Sequence, residues 1–176
     1  MDQAKKRRVQ VFKKIKEAKA PLSASTLAKE LGVSRQVIVG DVALLRAEGQ
    51  LILATARGYL AEASFKSTHK YVRKIACRHT PSQTKDELYL LIDQGVYVED
   101  VIIEHEVYGE LTGTLGLESR ADVDLFVSRL EKAGAKLLSE LTQGIRLHTI
   151  SCESKEHFET AMEAMRSAGF LLSEDA

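Results

Sequence analysis

The fold is decided by residues 21–49, which read PLSASTLAKELGVSRQVIVGDVALLRAEG. This stretch predicts two short helices separated at Gly32, a residue that suits the left-handed position just past a helix end. Ser34 stands where the second helix needs an N-cap. Apolar residues then recur along one face of that helix, at Ile38, Val42 and Leu45. The pattern indicates a helix-turn-helix, and the alternative is a small helical hairpin without a partner.

The second helix also has a polar face. Arg35 lies in its exposed first turn. Gln36, Gly40 and Ala43 fall opposite the apolar stripe. A helix that is buried on one side and presents Arg and Gln at its N-terminus is typical of a major-groove reader. We therefore predict that Ser34, Arg35 and Gln36 contact DNA.

A further amphipathic helix precedes this pair. Val9, Phe12 and Ile15 mark its apolar side. The helix begins in a basic cluster, which consists of Lys5, Lys6, Arg7 and Arg8. Basic side chains at such a position are expected to contact phosphate, so all four are predicted DNA contacts.

A short hairpin follows the helix-turn-helix. Residues 51–53 and 58–60 read as two strands, and Arg57 lies in the turn that joins them. Such a wing can place a cation against phosphate or in the minor groove, which makes Arg57 another predicted DNA contact. Three helices and a hairpin predict a winged helix-turn-helix domain over residues 1–64.

Charge separates the two halves of the chain. The whole chain has a formal net charge of zero, but residues 1–66 hold 13 Lys and Arg against 6 Asp and Glu, a net charge of +7. Residues 67–176 hold 12 against 19, a net charge of −7. This asymmetry indicates that the first half meets a polyanion and that the second half has another task.

The chain of 176 residues is long enough for two small domains. The polar segment 61–70 is the predicted linker, so a second domain is expected over residues 70–176. No apolar stretch approaches the roughly 20 residues that a membrane span needs, and the first helix is too basic for a signal-peptide core. Cys77 and Cys152 form no CxxC pair. We therefore expect a cytoplasmic protein with reduced thiols and no membrane partner.

Strand and helix patterns alternate in the second domain. Strands are predicted at 71–78, 96–105, 111–117, 144–152 and 170–172, and helices at 84–94 and after the caps Ser119 and Ser154. The pair Tyr108 and Gly109 marks a hairpin turn. The order β-α-β-β-α-β followed by α-β predicts the α+β class, as a ferredoxin-like sandwich with its helices on one face of a largely antiparallel sheet.

Two histidines stand at matching places in this order. His79 and His148 are each followed by threonine at the end of a strand, and a capped helix begins shortly afterwards. A pseudo-twofold arrangement would bring both histidines to one site. The alternative is chance similarity, because strand-to-helix units share capping chemistry.

Three blocks resemble a known family: RHTPSQTKDEL at 78–88, IIEHEVYGEL at 102–111 and LTQGIRLHTI at 141–150. With the helix-turn-helix, they make the whole chain similar to the niacin-responsive transcriptional repressors. These join a winged helix-turn-helix to a domain named 3H for three histidines. The resemblance implies a cytoplasmic, homodimeric repressor of NAD-precursor salvage and uptake genes. It also implies nicotinic acid as co-repressor. The +7 charge of the first half and the Ser34, Arg35 and Gln36 helix start themselves predict that a homodimer binds an inverted repeat in double-stranded operator DNA.

The resemblance also implies a divalent metal, nickel or zinc-like, held by histidines and a glutamate. The family pattern maps onto His79, Glu87 and His148. The residues themselves leave alternatives open. Glu87 stands three after Thr84, which is capping-box spacing, and the two histidines could simply bond to the backbone.

One residue departs from the family, which commonly has His-x-His where this chain has Arg146, Leu147 and His148. Strand alternation puts Arg146 on the same face as His148. A protonated guanidinium has no lone pair for a metal, so metal affinity is expected to be lower. His157 and Cys152 are the predicted candidates for the vacated fourth place.

Effector contacts are predicted at Arg146, His105 and Tyr108. A guanidinium matches a planar carboxylate such as that of nicotinate in a bidentate way. The alternatives are that Arg146 points outward or pairs with Glu140, and that His105 only packs in its hairpin.

Two other functions fit the same elements. One is a regulator that responds to a metal ion or an amino acid. The other is an enzyme fused to a DNA-binding domain, as in biotin ligase-repressors. Against an enzyme, the second domain has no phosphate-cradling Gly-rich loop and no G-x-S-x-G turn, so we expect no enzymatic activity.

Overall fold

The computed structural model describes residues 2–64 and 71–172. The chain divides into two compact units, residues 1–66 and 67–176. Most of the predicted linker at 61–70 lies outside the described residues.

The first unit is a winged helix-turn-helix. Its helices are α1 (Gln3–Glu17), α2 (Ala24–Leu31) and α3 (Arg35–Ala47), and its wing consists of β1 (Ile52–Thr55) and β2 (Gly58–Ala61). Gly32 takes the left-handed conformation with φ 65°, and the Ser34 hydroxyl accepts a hydrogen bond from the backbone of Val37. Both features of the predicted turn are confirmed.

The core of this unit corrects the predicted face of α1. The buried cluster is formed chiefly by Val11, Ile15, Leu27, Ile38, Val42, Leu45 and Ile52. Val9 is 58% exposed, so its assignment to the apolar side was wrong. Val11 and Ile15 stand one helical turn apart, whereas Val9 lies about 200° around the helix from Val11.

The wing is tied back to the helices at Gly58. Leu22 and Tyr59 exchange two backbone hydrogen bonds, of 3.0 and 2.7 Å. Gly58 has φ 133°, and a Cβ at this position would lie 2.5 Å from the carbonyl carbon of Leu22. Only glycine fits this close approach, because the contact is with backbone.

Gly58→Ala is expected to destabilise the first unit by about 1–3 kcal/mol, the usual scale of backbone strain. Hydrogen exchange of the α1 to α3 amides measures the change. Gly40→Ala is the matched control, because a Cβ there would meet nothing within 4 Å among the described residues, and helical Ala is favoured over Gly by about 0.5–1 kcal/mol. Equal protection in both variants would contradict the prediction.

The second unit is a four-stranded sheet with helices. Its elements are β3 (Tyr71–Arg78), α4 (Thr84–Asp93), β4 (Tyr97–His105), β5 (Gly109–Leu117), α5 (Arg120–Ala133), β6 (Ile145–Cys152) and α6 (Lys155–Ser167). Short 3-10 turns at Pro81–Gln83 and Leu138–Thr142 were not predicted. Helix α4 contacts both α5 and α6, in agreement with the α+β class.

The strand order differs from a ferredoxin-like sheet. The order is β3-β6-β4-β5, and every neighbouring pair is antiparallel, as predicted. The first strand of this unit, β3, therefore lies at an edge beside the fourth, whereas a ferredoxin-like sheet places the first strand beside the third. The predicted last strand is reduced to one bridge between Leu171 and Cys77. In the part of the chain that is described, no helix is long and apolar enough to cross a membrane.

Candidate functional site

Three elements bring four predicted residues together in the second unit. His79 follows β3, Glu87 lies on α4, and Arg146 and His148 lie on β6. Because β3 pairs antiparallel with β6, Cys77 stands opposite Arg146 and Ile75 opposite His148. The four side chains form the Glu87 cluster (His79, Glu87, Arg146 and His148), in which every residue is at most 7% exposed.

Glu87 is the centre of this cluster. Its Oε1 lies 2.7 Å from Nε2 of His148, its Oε2 contacts Nε2 of His79, and the same oxygen lies 3.9 Å from Nη2 of Arg146. Both carboxylate oxygens and both Nε2 atoms are nevertheless buried without a hydrogen-bond partner. Buried polar atoms are normally satisfied, and acceptors that converge in this way indicate a place for a cation.

The donor set fits a divalent metal only in part. Two imidazoles and a carboxylate are ligands that nickel- or zinc-type ions take. However, the described residues contain no group of three His, Cys, Asp or Glu side chains already spaced around an ion. The Glu87 carboxylate itself fills the point between the rings, so an ion would require this side chain to move.

The two histidines are held differently. Nδ1 of His148 lies 2.7 Å from the carbonyl oxygen of Asp100 and donates to it, which leaves Nε2 with a lone pair that faces Glu87. Nδ1 of His79 lies 2.9 Å from the Thr80 carbonyl oxygen and 2.8 Å from Nη2 of Arg146. The carbonyl requires a protonated Nδ1 and the guanidinium requires an unprotonated one, so the two contacts favour opposite tautomers.

Arg146 points into the cluster. Its Nη1 donates to the Ser139 hydroxyl at 2.9 Å, and its Nη2 lies 3.3 Å from the His79 carbonyl oxygen. The two alternatives, an outward Arg146 and a pair with Glu140, are wrong, because the Glu140 carboxylate accepts from the backbone of Leu137 instead.

Burial and charge both shift the pKa values in the cluster. Burial raises the pKa of Glu87, but His148, Arg146 and His79 outweigh it and hold that pKa below its usual value. Burial lowers the pKa of His79, although Glu87 opposes the shift. Burial also lowers the pKa of Arg146, with Glu87 again opposing, and a guanidinium stays protonated in proteins. The lowered pKa of Glu87 and the permanently protonated guanidinium of Arg146 make these two side chains an oppositely charged pair at neutral pH.

Backbone contacts fix the positions of both histidines of the Glu87 cluster. Gly144 has φ 88°, and a Cβ there would lie 2.5 Å from the carbonyl oxygen of His79. At the irregularity between Val98 and Asp100, the Asp100 carboxylate accepts from the backbone of Thr149 at 2.8 Å. This contact fixes the Asp100 carbonyl that orients His148.

The two residues predicted to replace the missing fourth ligand are placed elsewhere. His157 contacts the carbonyl oxygen of Gln94, which lies about 10 Å along α4 from Glu87. Cys152 donates to the carbonyl oxygen of Ser154 and lies about 13 Å along β6 from His148. Those predictions were wrong because spacing in sequence did not translate into proximity.

Sequence reasoning missed Cys77, Ser139 and Asp100. Cys77 is fully buried opposite Arg146, and burial, followed by Glu87, raises the pKa of its thiol. Strand alternation alone would have put Cys77 on the face of the ligands. Ser139 and Asp100 gave no comparable signal, because one lies in an unpredicted 3-10 turn and the other at a break in strand register.

His105 and Tyr108 contact each other within the β4–β5 hairpin. Nδ1 of His105 accepts from the backbones of Val107 and Tyr108, both at 3.1 Å, and the rings of His105 and Tyr108 lie 5.0 Å apart. Tyr108 is 76% exposed. His105 therefore packs within its hairpin, as the alternative interpretation predicted. An effector contact by His105 and Tyr108 stays a prediction.

The predicted DNA-reading residues lie at the start of α3. Ser34, Arg35 and Gln36 are all exposed, and the Ser34 hydroxyl is also the helix cap. In the wing, Arg57 is half-buried, and its backbone donates to the Thr55 hydroxyl.

One member of the basic cluster has a structural role. Lys5 and Lys6 are exposed and Arg8 is half-buried. Arg7 differs, because its guanidinium forms a bidentate pair with Asp41 at 2.6 and 3.2 Å, and Asp41 is 3% exposed. The prediction of Arg7 as a phosphate contact is corrected, since its charge neutralises a buried carboxylate and joins α1 to α3.

Comparisons with known proteins agree with this arrangement. An HTH domain model matches residues 7–60, and the 3H domain model matches residues 72–174. The transcription repressor NadR of Bacillus subtilis (strain 168) is 41% identical over 169 residues, which cover 96% of this chain and 94% of that protein. The "Probable transcription repressor NiaR" of Thermotoga maritima is 39% identical over 160 residues, 91% of this chain and 90% of that one. The chain belongs to the family of niacin-responsive transcription repressors, in which an HTH domain is followed by a 3H domain.

Proposed function

We propose that this DNA-binding transcription repressor controls genes of NAD-precursor (niacin) salvage or transport, with nicotinic acid as co-repressor. The observation that carries the proposal is the similarity to NadR and NiaR along nearly the whole chain, second domain included. Arg146 supports it, because a guanidinium inside a buried site offers a carboxylate a charge-assisted partner.

We also propose a divalent metal, nickel or zinc-like, held by His79, Glu87 and His148. The converging, unpartnered Nε2 and carboxylate atoms support this site. When bound, such an ion supplies an open coordination position for an anionic or nitrogen-donor ligand. Three donors and a neighbouring guanidinium make the binding weak.

The protein acts on DNA as a homodimer in the cytoplasm under this proposal. The exposed start of α3 supports major-groove contact, and a twofold dimer would read two half-sites about one or two helical turns apart. A dimer also explains how a small effector could change DNA binding. A small ligand can switch repression only by favouring one arrangement of two DNA-binding heads over another.

Calorimetric titration of nicotinic acid, with and without operator DNA, tests the effector. Binding is expected to tighten by about 5–150-fold on the operator, because coupling between two sites is reciprocal. Nicotinamide and free amino acids are the controls, and an amino acid that couples in place of nicotinic acid would favour the other class of regulator. Equal affinity for nicotinic acid in both titrations would refute the co-repressor role.

A further inference from the structure

We propose that Arg146 and a divalent ion are alternative occupants of one buried cation site, so that the guanidinium holds the metal out until it is displaced. The proposal rests on the metal site proposed above. It adds that Arg146 determines whether a metal ion binds there.

Charge balance is the first argument. Glu87 and Arg146 together are neutral, and both are at most 3% exposed. A divalent ion at Glu87 would add two positive charges beside a guanidinium whose Nη2 is 3.9 Å from Oε2. Buried net charge is costly without a counter-charge, so the ion and the guanidinium oppose each other at this carboxylate.

The tautomer of His79 is the second argument. A metal ligand must present an unprotonated Nε2, which requires the proton on Nδ1. Nη2 of Arg146 lies 2.8 Å from that Nδ1 and donates to it only when the nitrogen is unprotonated. The guanidinium therefore favours the tautomer whose Nε2–H faces Glu87 and which cannot bind metal, in opposition to the Thr80 carbonyl 2.9 Å from the same Nδ1. Removal of the guanidinium leaves only the carbonyl, which favours the metal-binding tautomer.

The third argument is that Ser139 and the His79 carbonyl hold the guanidinium in place. Ser139 accepts from Nη1 and the His79 carbonyl lies beside Nη2, so both ends of the fork are engaged. Ser139 belongs to the turn Leu138–Thr142 and is 2% exposed, but it is not one of the proposed ligands. Ser139 is thus a positioning residue that acts on the metal only through Arg146.

The test titrates Ni²⁺ and Zn²⁺ into the full chain against a competing chromophoric chelator, without DNA or nicotinic acid. Arg146→Ala is expected to bind metal about 10–100-fold more tightly than the natural chain, the usual scale for residues that tune ligands from outside. Ser139→Ala keeps all three ligands and should give a smaller gain in the same direction. Arg146→Lys retains a cation and should stay weak, and Ser128→Ala on α5 is the matched serine control.

A second readout separates exclusion from co-occupancy. The side-chain N–H resonances of Arg146 should report hydrogen bonding in the metal-free chain and lose it when metal is forced in at high concentration. Unchanged Arg146 resonances in the loaded protein would overturn the proposal. Equal metal affinity in the natural chain, Arg146→Ala and Ser139→Ala would overturn it too, whether that affinity is tight, weak or undetectable. None of these results bears on repression or on nicotinic acid, which the calorimetry tests separately.

Discussion

Replacing Glu87 by glutamine is expected to lower the free energy of unfolding of the second unit by about 3–5 kcal/mol. Glu87 is fully buried, and its carboxylate is the anion that balances the guanidinium of Arg146. Glutamine preserves the shape of the side chain but leaves a positive charge in a buried place without a counter-charge. The hydrogen bonds from Arg146 to Ser139 and His79 remain, and they do not supply the missing charge. Urea denaturation with a chelator present measures the loss.

Two controls isolate the charge. Asp86→Asn removes a neighbouring carboxylate that is exposed at the start of α4, and it should change stability by no more than about 0.5 kcal/mol. The double variant Glu87→Gln with Arg146→Met removes both charges and should recover most of the stability, because replacing a buried ion pair by apolar groups is often neutral. A double variant no more stable than Glu87→Gln alone would show that the pair is not the reason for the loss.

Local signals in the sequence predicted the first unit well. Gly32, Ser34 and the apolar repeat through Ile38 each report on a few neighbouring residues, and each has its predicted role. Val9 failed because α1 has apolar residues on two sides, and periodicity alone cannot say which side meets α3. The ion pair between Arg7 and Asp41 could not be predicted either, because the two residues are 34 positions apart in the sequence.

The second unit shows where such reasoning stops. Helix caps and strand periods identify elements but not which strands pair, so the order β3-β6-β4-β5 was not predictable. Strand alternation did place Arg146 on the face of His148, and the family resemblance supplied His79 and Glu87. The partners that complete the cluster, Ser139 and the Asp100 carbonyl, depend on a 3-10 turn and a break in strand register, which leave no periodic pattern.

Arg35→Ala is expected to cost about 1–3 kcal/mol of binding to the operator, the usual value of a good bidentate contact to a base. Arg35 is exposed in the first turn of α3, where a recognition helix contacts base edges. Because base contacts carry sequence information, binding to random DNA should change much less, and the specificity ratio should fall. Fluorescence anisotropy on operator and scrambled duplexes of equal length measures both.

Lys6→Ala gives the contrasting result and so identifies the type of contact. Lys6 is exposed in the basic start of α1, and a phosphate contact should weaken operator and scrambled DNA alike. Its loss should also flatten the slope of log affinity against log salt by about 0.9, the value for one neutralised phosphate. Arg7→Ala is not a clean test of DNA contact, because it leaves Asp41 buried without its partner and so perturbs the fold. If Arg35→Ala behaved like Lys6→Ala, weakening both duplexes equally and flattening the salt slope, Arg35 would be a phosphate contact and α3 would read bases through other residues.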